Sequence, residues 1–446
     1  MATIKPFRGI RYNPALIPDL STVVAQPYDK VSDELQEAYY GLGPYNVVRI
    51  DRGKELPGDV PDRLDGPNVY TRAHAYYTHW LTHGVLIREP QPALYVLRQT
   101  FQVGGETYVR KGLIAAFELS DFSEGIVRPH EHTYSGPKID RLRLLRTNRV
   151  YFGQVFMLYP DPRNRVNAIL DQTIAGQRHT VDVVELFEQD VRQQMWVVTD
   201  MDAILAVQAE FLPKRNLIIA DGHHRYETGL NFRQEMRLQY PDAPPEAAFN
   251  FILVTLVSMN DPGLIILPTH REIFDYPGVT PTQILERAAI HFEIIPALNM
   301  QDCFTTMQAH TDQHAFGFYT GNQYYVLVLK DADIVNRLIT ENYSDAWKNL
   351  DVTILHKIVL EHLVGLPAEA GDQTTHIRYH RAAQAAINSI DAGKGNCVFF
   401  LNPARMDQVQ ALAERGEKMP QKSTDFYPKV ISGLVMMSVE PTERIE

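Results

Sequence analysis

Only Cys303 and Cys397 occur in the 446 residues. So few cysteines exclude a disulfide framework and any four-cysteine zinc site, and they suit a reducing cytoplasm. No apolar run approaches the length needed to span a bilayer, Phe251 to Val257 being the longest, and the Met1 to Arg8 segment has no apolar leader pattern. A cytoplasmic protein without membrane association is expected. Positive charge is also in deficit: the formal net charge is −11. General nucleic-acid binding needs a basic surface and is therefore not expected.

Several chemical signatures are missing as well. There is no Gly-x-Gly-x-x-Gly, and Gly416 to Thr424 ends like a phosphate loop but lacks the glycine before its lysine. Both absences disfavour a P-loop nucleotidase or a dinucleotide-dependent dehydrogenase. Without a Gly-x-Ser-x-Gly elbow, and with neither cysteine in a polar cluster, serine and thiol nucleophiles have little support.

What the chain does have is the stretch Asn216 to Thr228, in which Asp221-Gly222-His223-His224-Arg225 follows the apolar run Leu217 to Ala220. The run predicts a buried strand, and Tyr226 to Gln239 predicts a helix, so Asp221 to Arg225 should form a strand-to-helix corner. Unpaired N–H groups at a helix start, a permissive glycine and nearby cations make an anion site. Phosphate is the expected guest, and Arg225→Ala is expected to weaken its binding without unfolding the protein. The bland alternative is a capped turn with two structural histidines.

A second polar cluster, Arg128 to Lys138, contains His130, Glu131 and Thr133 in a Pro/Gly-bounded loop. His130 and His132, with Glu131 and the Asp221 corner, could hold a divalent metal, but the two-residue spacing lacks the helical His-Glu-x-x-His logic, and no metal ligand is assigned. Directly after it, Lys138 to Arg149 carries five cations and one carboxylate. Lys138 and Arg141 are candidates to face phosphate, the alternative being a solvated helix face. Asp29, in Gln26-Pro27-Tyr28-Asp29-Lys30, is a further candidate carboxylate.

The overall pattern is α+β, in three regions. Residues 1–160 read as strand-rich, with strands at Val47 to Ile50, Ala93 to Phe101 and Leu113 to Leu119 around a helix from Val69 to His83. Residues 161–278 read as an α/β core bearing the corner, with a helix near Val181 to Gln194. Residues 279–446 read as an α+β domain with a hairpin over Ala315 to Lys330 and a helix from Asp351 to Val364 that Gly365 ends.

Several motifs together, Lys5 to Pro14, Pro27-Tyr28-Asp29, Pro129-His130-Glu131 with Thr133, Pro137-Lys138, Asp140-Arg141, Ala220 to Thr228, Pro268 to Arg271 and Met419 to Pro428, resemble a bacterial and archaeal domain-of-unknown-function family, number one thousand and fifteen. More distantly, the strand, Asp221-Gly222, His224-Arg225, helix arrangement is similar to the phosphate corner of the ParB/sulfiredoxin-like group, which includes free-serine kinases. That resemblance implies a ParB/sulfiredoxin-like core with an additional α+β domain, and phosphoryl transfer or hydrolysis on a small polar metabolite, serine or phosphoserine first. It also implies Mg²⁺ and a nucleotide, ATP or ADP, as cofactors, and an activating carboxylate from an earlier segment, for which Glu131 and Asp29 are candidates.

The resulting assignment makes Asp221, His224 and Glu131 catalytic, with Glu131 as general base. Gly222, His223, His224, Arg225, Lys138 and Arg141 would hold the cofactor, and His130, Thr133 and Asp29 the substrate. The expected partners are a small phosphate-bearing ligand and, as an assembly, a second copy of the chain in a homodimer. Two other readings stay open: a non-catalytic nucleotide sensor, and a metal-dependent hydrolase.

Overall fold

The computed structural model describes residues 1–61, 63, 66–131, 135–188, 190–366 and 376–445. It is an α+β protein, and the chain divides into two compact units, the first formed by 1–129, 133–265 and 428–446, the second by 130–132 and 266–427. Among the described residues no helix is long and apolar enough to cross a membrane.

The first unit is built on a nine-stranded mixed sheet. Its order is Val127–Pro129, Leu217–Asp221, Val155–Tyr159, Phe251–Ser258, Glu106–Glu118, Leu94–Val103, Val191–Val198 and Val181–Val184, with Ile4–Lys5 pairing on Glu106–Glu118. Val155–Tyr159 and Phe251–Ser258 run parallel as neighbours. Strands from both sides of residue 160 thus share this sheet. The central strands carry apolar residues on both faces, Phe251–Ser258 being buried throughout, because helices cover the sheet.

Two segments differ from their sequence reading. Val47 to Ile50 looks like a strand because it is β-branched, yet Val48–Asp51 is a helical turn. Asn46 decides this: its side-chain oxygen accepts from Val48 N–H at 3.0 Å, and its amide donates to Val24 O at 3.0 Å. Local capping here overrides propensity. Val181 to Gln194, read as a helix, supplies the antiparallel strands Val181–Val184 and Val191–Val198. Val181 and Val183 are buried while Asp182 and Val184 are not, a period of two that the helical reading overlooked.

The second unit has a six-stranded antiparallel sheet, ordered Phe292–Ala297, Tyr324–Leu329, Ala315–Tyr319, Cys397–Phe400, His270–Ile273 and Ile377–His380. The expected hairpin is present, with Tyr319 paired to Tyr324. The expected Asp351 helix is α-helical only over Asp351–Ile354, then widens to π geometry over Leu355–Val364. Gly365, at φ 84°, ends it.

Candidate functional site

Leu217–Asp221 is held between two neighbours, parallel to Val127–Pro129 and antiparallel to Val155–Tyr159. Ile218 and Ile219 are fully buried, each contributing about 1.5–3 kcal/mol. The register slips between Ile219 and Asp221. Such a bulge re-aims the side chain that follows it, and here that side chain is the Asp221 carboxylate.

Gly222 turns the chain with φ 91° and ψ 30°, and the helix His223–Gln239 starts immediately. The helix is anchored beneath the corner by Tyr226, whose hydroxyl donates to Ser120 O at 2.9 Å. A side chain on residue 222 would meet the Arg225 guanidinium, with Nε 2.9 Å and Cζ 3.1 Å from the Cβ position. Gly222→Ala should therefore cost about 1–3 kcal/mol. A urea midpoint equal to that of the parent protein would contradict this account of the corner.

Arg225 is buried and folds back against the protein. Its Nη2 donates to Asp221 Oδ2 at 2.6 Å, its Nη1 to the Gln154 carbonyl, and its buried Nε has no partner among the described residues. The Lys429 ammonium, also buried, lies 3.0 Å from the other Asp221 oxygen. Lys429 is fixed through its backbone: Gln99 donates to Lys429 O at 3.2 Å, while buried Arg110 donates to Gln99 Oε1 at 3.0 Å and to Pro428 O. Burial alone would raise the Asp221 pKa, but Lys429 and then Arg225 outweigh it and hold the carboxyl well below the ordinary range.

Asp29 sits on the short turn Tyr28–Lys30. It keeps exposed surface and makes no hydrogen bond with the described residues. Protein crowding around it, and next the Asp221 charge, raise its pKa above the usual carboxylate value, against the opposing pull of Arg225, Lys429 and Lys30. The two carboxylates thus differ, one firmly ionised and one easier to protonate. Beside them, burial pushes the Tyr28 hydroxyl up to about 12, so it stays a neutral donor at physiological pH.

The other expected site residues are distributed as follows. Arg141 stacks on Tyr28, 4.0 Å from its ring centre, and pairs with Asp51 at 2.8 Å and Asp140 at 2.6 Å. Lys138 pairs with Glu227 at 2.9 Å. Both cations thus have carboxylate partners within the first unit. His223 is buried and His224 half-buried in the first turn of the helix. His130 and Glu131 belong to the second unit, where His130 Nε2 meets Thr424 Oγ1 at 2.8 Å and Glu131 accepts from Lys422 N–H at 3.4 Å. Thr133 and His132 lie outside the described residues. Among the described residues, no group of three or more His, Cys, Asp or Glu is placed to hold a metal ion.

Sequence reasoning missed Lys429, Gln154, Asp51 and Ser432. Ser432 donates to Asp51 Oδ2 at 2.8 Å, and its backbone bridges to Ala25, tying the Asp29 segment to the segment carrying Lys429. The only signal was the polar loop ending Tyr427-Pro428-Lys429, which names a cation but no partner.

A family model described as "Protein of unknown function (DUF1015)" matches residues 4–353. No curated protein matches the chain. Among solved structures, a conserved hypothetical protein from Pyrococcus furiosus is 12% identical, with 70% of this chain and 92% of that chain covered and a TM-score of 0.32. A free serine kinase in complex with AMP is 12% identical over 67% of this chain and 83% of its own, with a TM-score of 0.31. SbnI with a C-terminal truncation, from Staphylococcus aureus, is 9% identical over 69% and 82%, with a TM-score of 0.31. Likenesses this loose transfer no residue role.

Proposed function

For this chain, which belongs to the family described as Protein of unknown function (DUF1015), we propose phosphoryl transfer to the hydroxyl of a small polar metabolite at the Gly222 corner. The observation that carries the reading is the Asp221 carboxylate, held by Lys429 at 3.0 Å and Arg225 at 2.6 Å beside the first turn of a helix that begins on a glycine, with the Asp29 carboxylate within reach of its charge. N–H groups at the start of His223–Gln239 suit phosphate oxygens, because a helix N-terminus carries donors and partial positive charge. Asp29, without a hydrogen-bond partner and easier to protonate than Asp221, is the general base. It takes this role in preference to Glu131, whose carboxylate accepts from Lys422 N–H.

The acceptor oxygen forms its bond to phosphorus as the bond to the leaving phosphate oxygen breaks, and the hydroxyl proton passes to Asp29. Asp221 stays ionised and fixes the Lys429 ammonium and the Arg225 guanidinium. Arg225 is a positioning residue, since its donors go to Asp221 and the Gln154 carbonyl. His224, half-exposed in the first turn, is the imidazole suited to a hydrogen bond with phosphate. A divalent ion would arrive with the nucleotide phosphates as part of the substrate.

Serine with ATP or ADP is the first pair to test, since the resemblance of the Asp221 to Arg225 motif names them. Purified protein incubated with L-serine, Mg²⁺ and either nucleotide should accumulate O-phosphoserine, followed by phosphorus NMR. Saturable nucleotide binding without product from serine or from a panel of hydroxylated metabolites would replace this reading with that of a nucleotide sensor.

A further inference from the structure

A cavity in the first unit, of about 260 Å³, is lined by Pro6, Phe7, Arg8, Arg88, Pro92, Met437, Ser438, Glu443, Arg444 and Ile445. Three guanidinium groups meet one carboxylate there, a local excess of positive charge on a chain of net charge −11. Arg88 Nη2 pairs with Glu443, but Arg88 Nε is buried and has no hydrogen-bond partner among the described residues. A buried donor left unmet costs about 1–3 kcal/mol, more when charged, and calls for an occupant that can accept from it. Arg8 donates its Nε to the Glu89 carbonyl at 2.9 Å, which steers the side chain while its terminal nitrogens have no partner among the described residues. Arg444 is exposed and likewise unpaired among the described residues. Apart from Ser438 the remaining wall is apolar, with Phe7, Met437 and Ile445 buried behind it.

We propose that this cavity binds a phosphate monoester carrying a small apolar body, its phosphate held by Arg88, Arg8 and Arg444 and its body seated on Phe7, Pro92 and Met437. A dianion satisfies three guanidinium groups better than a monocarboxylate, and guanidinium geometry matches phosphate oxygens pairwise. The volume lies just below the roughly 300–1,000 Å³ of sites for drug-sized ligands, so the body is one ring or a short chain. The Arg8 end of the cavity comes from the Lys5 to Pro14 motif, which the Gly222 corner leaves without a role.

The test uses full-length protein with ¹³C-methyl methionine, the Met437 resonance being assigned by Met437→Leu. Phenyl phosphate, inorganic phosphate and benzoate are titrated separately. Phenyl phosphate should move the Met437 signal saturably and more tightly than either other probe, and Arg88→Gln should weaken it about tenfold or more. Because Arg88 is partly buried, Arg8→Gln, an exposed change, gives the same test without a folding risk and should also weaken binding. A Met437 signal indifferent to phenyl phosphate, or equal affinity in the parent and both arginine variants, overturns the proposal. Tighter binding of benzoate than of phenyl phosphate overturns the phosphate assignment.

Discussion

Asp29→Asn should lower the rate of phosphoryl transfer about 10²- to 10⁴-fold, the usual contribution of a positioned base, while leaving nucleotide affinity equal or slightly improved. The sign of the binding effect follows from charge: the substitution removes one negative group from a corner meant for an anion. The pH profile gives a second readout. A base acts in its ionised form, and the protein crowded around Asp29, with the Asp221 charge next, raises its pKa. Activity in the parent protein should therefore climb with pH through a limb lying above the ~3.9 of a free aspartate, and that limb should vanish in Asp29→Asn. An asparagine variant with undiminished turnover would remove Asp29 from the chemistry.

Arg225→Ala should cost about 2–3 kcal/mol of folding stability, because it removes a buried charge-assisted hydrogen bond and leaves Asp221 with Lys429 as its one remaining cation partner. Side-chain exposure at Arg225 and Asp221 is 10% and 15%, so solvent relieves little of that loss. Against a total of about 5–15 kcal/mol for a typical protein, the change is severe. The loss should also depend on pH. Asp221 is depressed in the folded protein, so its favourable term is present above its unfolded pKa and fades as pH falls through the folded value. Lys429 remains in the variant, so part of the depression survives. Denaturant midpoints near neutral pH measure the main effect, and a shift of less than about 1 kcal/mol would mean that the guanidinium does little to hold the corner.

The strand, the glycine corner and the helix of this site are legible from Leu217 to Thr228 because periodicity and turn chemistry are local. The helix begins at His223 and not at Tyr226, placing both imidazoles and Arg225 in its first turn. What charged side chains do is not local. Arg225, Arg141 and Lys138 read as phosphate ligands because sequence does not say which carboxylate a cation faces: Asp221 and Asp140 lie within four residues of their partners, whereas Asp51 and Glu227 are brought up only by packing. Val47 to Ile50 failed for a related reason: one amide, from Asn46, redirected four residues whose own preference was extended. Lys429 was beyond reach, since 208 residues (429 minus 221) separate it from the carboxylate it neutralises.

The first unit is interrupted in sequence, its last piece, 428–446, following the whole of 266–427. On the ribosome, then, the Asp221 carboxylate exists for the entire synthesis of the second unit without the ammonium that compensates it. The nascent sheet must carry that imbalance, with the corner under-stabilised, until the tail emerges and docks on Gln99 and Arg110. Completion of the corner thereby waits on synthesis of the second unit, so a ribosome paused within 266–427 would hold a chain whose Asp221 has met Arg225 but not Lys429.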